Sequence, residues 1–445
     1  MRDLRHDFWH NLRGNLAAKP WRDRAVVIAY AFATGLVVVG FTLLADAASR
    51  AFAALFGLEG VGRWLPLVWT PALTVALLWW TRRFAAGGEG SGIPQVVAAL
   101  DDRVPVAVRE GLVSLGLSLH KIALVSGGLL AGLSIGREGP TVQVGAGVMK
   151  HARRWLSPDS GIDTHDLIVA GAAAGIAAAF NTPLGGVVFA LEQLSRRRSF
   201  SHSGLVIVSI VLAGMVAVSA FGNLTYFGEL RVGELGWPLL GPGALVTMAA
   251  GLAGGLFSRL IVASTRGLPD AASRWRERHP FRFAAACGIV VAAITIVTDG
   301  AVAGAGYAPT RALLEGHADL PPLYTVLKFC ATWLSAWSGL PAGVFAPSLA
   351  IGAGIGHDVA VLTHANPSTS AALAALGMVA FLAATTQGPL TAFIIVMEMV
   401  AGHDMVLSLM ASAFVASGIA RWMTPPMYVE LAAMFAPARR PGGAS

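Results

Sequence analysis

Apolar residues run along this chain in stretches long enough to cross the roughly 30 Å hydrocarbon core of a bilayer as helices. Such runs begin near Val26, Leu65, Leu205, Ala244 and Val406. Between them the apolar pattern is less regular and is cut by glycine and proline. Helices broken at membrane depth must line a cavity or lie buried in protein, because lipid cannot satisfy the freed backbone groups. The interruptions also repeat. Lys121 recurs as Lys328, Pro140 as Pro347 and Gly145 as Gly352, each 207 positions later, while Pro183 recurs as Pro389 and Glu192 as Glu398, each 206 later. Residues 136–147, GREGPTVQVGAG, align with 343–354, GVFAPSLAIGAG, and residues 183–192, PLGGVVFALE, with 389–398, PLTAFIIVME. The chain is two copies of one unit, and duplicated halves with broken apolar segments predict a transport site between them.

Composition narrows the class. Of 445 residues 55% are hydrophobic and 13% charged, with a mean hydropathy of +0.65, which leaves too little polar surface for a water-soluble chain of this size. An all-α polytopic membrane protein is predicted. Residues 1–24 carry Arg2, Arg5, Arg13, Lys19, Arg22 and Arg24 without an apolar core. They read as a cytosolic N-terminal segment rather than a signal peptide. The net charge of +7 is accounted for by such residues and by Arg82, Arg83, Arg153, Arg154 and Arg196 to Arg198, so no nucleic acid is expected as a partner. Cys287 and Cys330 lack CxxC or Cys/His spacing and are expected as buried thiols. His120, His165, His357 and His403 show no metal spacing, and neither metal nor cofactor is expected.

Three broken segments share one construction. In Gly90-Ser91-Gly92-Ile93-Pro94, Gly136-Arg137-Glu138-Gly139-Pro140 and 343–347, GVFAP, glycine frees the backbone and proline follows where a helix can begin. Each predicts a helix N-terminus inside the membrane, whose unpaired amides and dipole suit an anion. Small residues for close helix packing are the plainer reading of any one of them. A dinucleotide-binding reading of Gly145-Ala146-Gly147 fails for want of a preceding strand.

The motifs GSGIP, GREGP and GxFxP, in this order and with a late tyrosine in Pro426-Met427-Tyr428, resemble the CLC family of chloride channels and chloride/proton antiporters over about residues 65–428. The resemblance implies a homodimer with one pore per subunit, each subunit built from two inverted-topology repeats with broken and tilted helices. The membrane domain would cover 25–423, with a first repeat of about 25–223 and a second of about 237–423. Residues 424–445 would hold the pore-lining tyrosine and a short cytosolic C-terminus without nucleotide-binding domains. Chloride and protons are the implied partners, with membrane lipids, and the bacterial inner membrane is the implied location with the N-terminus cytoplasmic. The hydroxyls of Ser91 and Tyr428 and the amides of Val344 and Phe345 would bind chloride, with Gly90, Gly92, Ile93, Pro94, Arg137, Gly139 and Lys121 supporting the pore.

Glu138 would be gate and proton carrier, because a carboxylate at a helix N-terminus competes with the anion when charged and leaves when protonated. The alternative is an acid paired with a structural lysine such as Lys121. Glu192 and Glu398, related by the duplication, read as scaffold that bonds to backbone near the membrane boundary. Antiporters of the family usually carry a second glutamate where this chain has Gln193, which cannot release a proton, so a passive anion channel is the rival reading. The fluoride-exporting branch is disfavoured by Ser91. An intramembrane enzyme is the remote rival, with Ser118 and His120 as the nearest approach to a dyad, although residues two apart on a helix diverge.

Overall fold

The computed structural model describes residues 18–194, 203–222, 227, 230, 239–316 and 320–437. Within these the chain forms α-helices joined by short turns. The first repeat holds α1 (Ala18–Phe56), α2 (Pro66–Phe84), α3 (Ile93–Ala99), α4 (Val106–Leu112), α5 (Leu115–Leu130), α6 (Glu138–Lys150), α7 (Thr164–Phe180), α8 (Pro183–Phe189), continued by a π-turn through Leu194, and α9 (Ser203–Phe221). The second holds α10 (Leu240–Arg266), α11 (Ala271–Arg278), α12 (Pro280–Val297), α13 (Tyr307–Leu314), α14 (Tyr324–Trp337), α15 (Phe345–Leu362), α16 (Pro367–Thr386), α17 (Pro389–Met399), α18 (Val406–Met423) and α19 (Met427–Ala433). Among the described residues seven helices are long and apolar enough to cross a membrane, and α4 with α5, bent by 44°, would make an eighth. The protein is a multi-pass membrane protein. Ile28, Phe32, Leu36, Leu43 and Leu44 stand exposed on α1, as expected of a face solvated by lipid.

The centre of each repeat is a pair of nearly fully buried helices rich in glycine and alanine, α6 with α7 and α15 with α16. A Cβ at Gly145 would collide with the carbonyl of Gly171, and one at Gly352 with that of Gly377. Such close backbone approach is how membrane helices pack without a hydrophobic driving force between them.

The repeats are joined by exchanged contacts. Gly136 and Gly343 form an antiparallel bridge, Gly136 N donating to Gly343 O at 2.7 Å and Gly343 N to Gly136 O at 3.2 Å. Gly90 N donates to Leu340 O (3.0 Å), and Gly304 N to Leu133 O (3.0 Å), the matching bond seen from the other repeat. Glu398 accepts from Leu184 N (3.2 Å) and Gly185 N (2.7 Å), while Glu192 accepts from Leu390 N (3.1 Å) and Thr391 N (2.8 Å). Each glutamate thus caps the short helix of the opposite repeat, whose first amides have no helical partner. Both were expected to bond to backbone; that they do so across the two-fold relation was not foreseen.

Several expectations are adjusted. Helix α1 begins at Ala18, inside the segment assigned to a cytosolic arm, and Asp23 is buried, accepting from Ser157 N (2.9 Å) and Ser157 Oγ (3.0 Å). Asp23 thereby fastens the start of α1 to the end of the α6 region. Cys287 is buried, but Cys330 is only half-buried: α14 buries the stripe of Lys328, Ala331, Thr332 and Ser335, and Cys330 turns away from it. Arg2, Arg5, Arg13 and Arg196 to Arg198, most of the linker between the repeats and residues 438–445 lie outside the described residues.

We expect Gly352→Ala to lower the thermal midpoint of the detergent-solubilised protein, by the equivalent of about 1–3 kcal/mol of overpacking. Gly418→Ala, where a Cβ meets nothing within 4 Å, should cost nothing. Equal midpoints for the two variants would refute the packing account.

Candidate functional site

Four helices start where the repeats meet. Gly92 precedes α3 with φ 99° and Gly306 precedes α13 with φ 86°, backbone values that glycine adopts without strain. Helices α6 and α15 start from Arg137 and Val344, directly after the bridged glycines. The sequence reading identified three of these starts. The fourth, Gly304-Ala305-Gly306-Tyr307, matches Gly90-Ser91-Gly92-Ile93 at an offset of 214 rather than 207, so a shift in loop length hid it.

Buried lysines hold the two outer starts in place. Lys121 Nζ donates to Gly88 O and Gly90 O, both at 2.7 Å, and Lys328 Nζ to Val302 O and Gly304 O, both at 2.8 Å. Each ammonium is fully buried and fixes the glycine turn before a helix. Lys121 is therefore a loop clamp, and the alternative pairing of Glu138 with Lys121 is overturned.

Ser91, Val344, Phe345 and Tyr428 are all buried. Helix α19, which carries Tyr428, packs against α3, and Gly139 abuts Ser91 so closely that a Cβ there would strike the serine. The hydroxyls of Ser91 and Tyr428 are neighbours, yet among the described residues neither makes a hydrogen bond of acceptable geometry. Two buried hydroxyls without partners are costly unless something else accepts from them. The first-turn amides of α15 lack helical acceptors as well. Phe345 meets Phe180 in a tilted ring contact, centroids 5.2 Å apart.

Glu138 has no exposed surface. Its Oε1 accepts a hydrogen bond from the Tyr307 hydroxyl. Oε2 points at the first turn of α15, where the Ala346 amide faces it without good hydrogen-bond geometry. Arg137, beside it in sequence, turns outward to pair with Asp46 of α1 and lies over the Tyr307 ring at 5.4 Å. A cavity of about 620 Å³ opens here, bordered by Asp46, Arg50, Arg137, Asp299 and Tyr307. Tyr307 and Asp46 had no motif to mark them; Tyr307 becomes visible only once GAGYAP is aligned with GSGIPQ.

Gln193 is buried in the π-turn and packs, with Glu192, against Gly388. Near it lies a second cavity of about 460 Å³ lined by Glu192, Gln387, Arg421, Thr424, Pro425 and Pro426. Ser118 Oγ donates to Ser114 O (3.0 Å) while His120 meets Trp80, so no Ser/His dyad forms. Asp163, His165 and Asp166 do bring their ligand atoms within 4.8 Å of one another, against the expectation from spacing. The start of α7 gathers them: Asp163 Oδ1 accepts from Asp166 N at 2.7 Å as a helix cap.

A polytopic membrane protein with helix N-termini and unpartnered hydroxyls converging between two inverted repeats is an ion-transport protein in architecture. The chain belongs to the CLC family: the family model described as voltage gated chloride channel matches residues 72–421. It is 29% identical to the H(+)/Cl(-) exchange transporter ClcA of Cronobacter sakazakii over 374 residues, 79% of this chain and 76% of that protein. It is 28% identical to the ClcA of Yersinia pestis over 436 residues, covering 90% and 85%. The fold resembles a slow cyanobacterial Cl-/H+ antiporter with a TM-score of 0.73 at 24% identity, covering 94% of this chain and 99% of that one. It also resembles a CLC-type fluoride/proton antiporter, with a TM-score of 0.71 at 20% identity and coverage of 90% and 95%. The family is one of transporters and not of enzymes.

Removing both hydroxyls, Ser91→Ala with Tyr428→Phe, should weaken anion binding measured by calorimetry by about two- to tenfold for each, the worth of a neutral hydrogen bond. Wild-type affinity and unchanged preference among chloride, bromide and nitrate would disprove the assigned binding groups.

Proposed function

We propose that this protein exchanges chloride for protons across the bacterial inner membrane, as a homodimer with one pore per subunit and a cytoplasmic N-terminus. Chloride binds between the Ser91 and Tyr428 hydroxyls and the Val344 and Phe345 amides. The reading is carried by Glu138, a fully buried carboxylate at the start of its own helix and against the start of another. A charged carboxylate there takes the place an anion would take, and a neutral one has little reason to stay. One side chain thereby links proton movement to anion movement. Helix ends and hydroxyls hold chloride without a full positive charge, so it can leave again. The relatives named as H(+)/Cl(-) exchange transporters support the same pair of substrates.

Gln193 favours a second reading, a passive anion channel, because no group that can titrate stands at that buried position. Antiport remains the better account: the cavity beside Glu192, Gln387 and Thr424 has room for water, and delivery of protons along a water chain needs only Glu138 to titrate.

In liposomes with simultaneous chloride and pH recording, Glu138→Gln should abolish proton movement and leave chloride flux, since the amide mimics a permanently protonated gate. Unchanged proton flux would remove Glu138 from the mechanism. A wild-type chloride gradient should drive protons uphill, and Gln193→Glu should speed that flux. Uphill movement gained only in Gln193→Glu would make the native protein a channel.

A further inference from the structure

The contact between Glu138 and Tyr307 joins two helix starts from different repeats. Tyr307 is the first residue of α13, placed by the left-handed Gly306 and by the Gly304 turn that Lys328 clamps. Its hydroxyl donates to Glu138 Oε1. Its ring is held from the other side by the Arg137 guanidinium, itself tied to Asp46 on α1, and by Phe227 at 6.1 Å. The hydrogen bond is made at the boundary between the anion site and the 620 Å³ cavity that Tyr307 borders.

We propose that Tyr307 is a positioning residue that latches the Glu138 carboxylate inside the anion pathway, so that release of the gate requires breaking this bond. The inference rests on Glu138 being the gate. A hydroxyl donating to a carboxylate favours the charged, pathway-blocking form over the neutral form that must leave. The charged and titratable groups facing Glu138 are Arg137 on its own helix, Asp46 on α1, Tyr307 on α13 and Tyr428 on α19; from α15 it faces only backbone amides. Of these Tyr307 is the one whose loss removes a donor to the carboxylate while keeping the net charge at neutral pH. The latch also predicts competition: while it holds, the carboxylate occupies space that chloride would otherwise use.

The test compares Tyr307→Phe with wild type, and Tyr307→Phe/Glu138→Ala with Glu138→Ala, in liposomes and by calorimetry. The phenylalanine keeps the ring under Arg137 and removes only the hydroxyl. In the Glu138 background it should raise chloride turnover on the order of tenfold, the scale of a hydrogen bond to a charged group. The acid-activated limb of chloride flux should move by about one unit to higher pH, because a gate without its donor is protonated more readily. Apparent chloride affinity at alkaline pH should tighten in step. In the Glu138→Ala background Tyr307→Phe should change none of the three. Equal effects in both backgrounds, or no effect in the native one on turnover, pH profile and affinity together, would overturn the latch. The gate reading fails separately: Glu138→Ala alone would then retain coupled proton movement.

Discussion

Two peptide groups, those of Gly136 and Gly343, exchange hydrogen bonds where the repeats meet, and the rest of the site is placed by that exchange. Each glycine is followed within two residues by the start of a buried helix, so pairing the backbones brings the starts of α6 and α15 together. Aligned helix dipoles repel at like ends, and nothing in a lipid interior would screen them. A carboxylate between the ends, or an anion in its place, offsets that repulsion. The bridge therefore creates the condition that an anion or Glu138 must satisfy.

Four charged side chains away from Glu138 are met by backbone rather than by opposite charges. The ammonium groups of Lys121 and Lys328 each face two carbonyls of a glycine turn, and the carboxylates of Glu192 and Glu398 each face two amides of a helix start in the other repeat. Unpaired charges are expensive in a membrane, and partial charges in matched geometry can satisfy them while fixing the turns that carry them. The glutamates exchange partners between the halves, whereas each lysine clamps a turn of its own half. These four residues are structural in the strict sense that their partners are backbone groups with a fixed place.

Glu138 departs from that pattern. Its partners are a tyrosine hydroxyl and the open end of a helix, groups that serve an anion as well as they serve a carboxylate. Ser91 and Tyr428 offer hydroxyls nearby that have no hydrogen-bond partner among the described residues. The groups around Glu138 would suit an exchangeable occupant in a way that the fixed backbone contacts of Lys121, Lys328, Glu192 and Glu398 do not. In the proposed mechanism, the linkage of a proton to anion movement rests on that difference.

Much of this was legible in the sequence because glycine and proline encode backbone directly. A glycine before a proline marks a helix start wherever it lies, and a fixed offset between such marks reveals the duplication; the roles expected of Ser91, Val344 and Phe345 came instead from the resemblance to the CLC family. Gln193 was legible as a chemical fact, since an amide does not titrate. Contacts between the repeats were not legible. Glu192 and Glu398 could be recognised as scaffold, but their exchange of partners depends on a two-fold packing that no local pattern records. Lys121 looked like a possible partner for Glu138 until the fold turned its ammonium to Gly88 and Gly90. Tyr307 lay hidden because its loop differs in length from the one before Ile93, and Asp46 because a lone acid in a long helix has no signature. The sequence by itself determined where helices start, since that is a local property of φ, amide and proline ring; which starts meet, and what stands between them, was decided only by the packing of two repeats against each other.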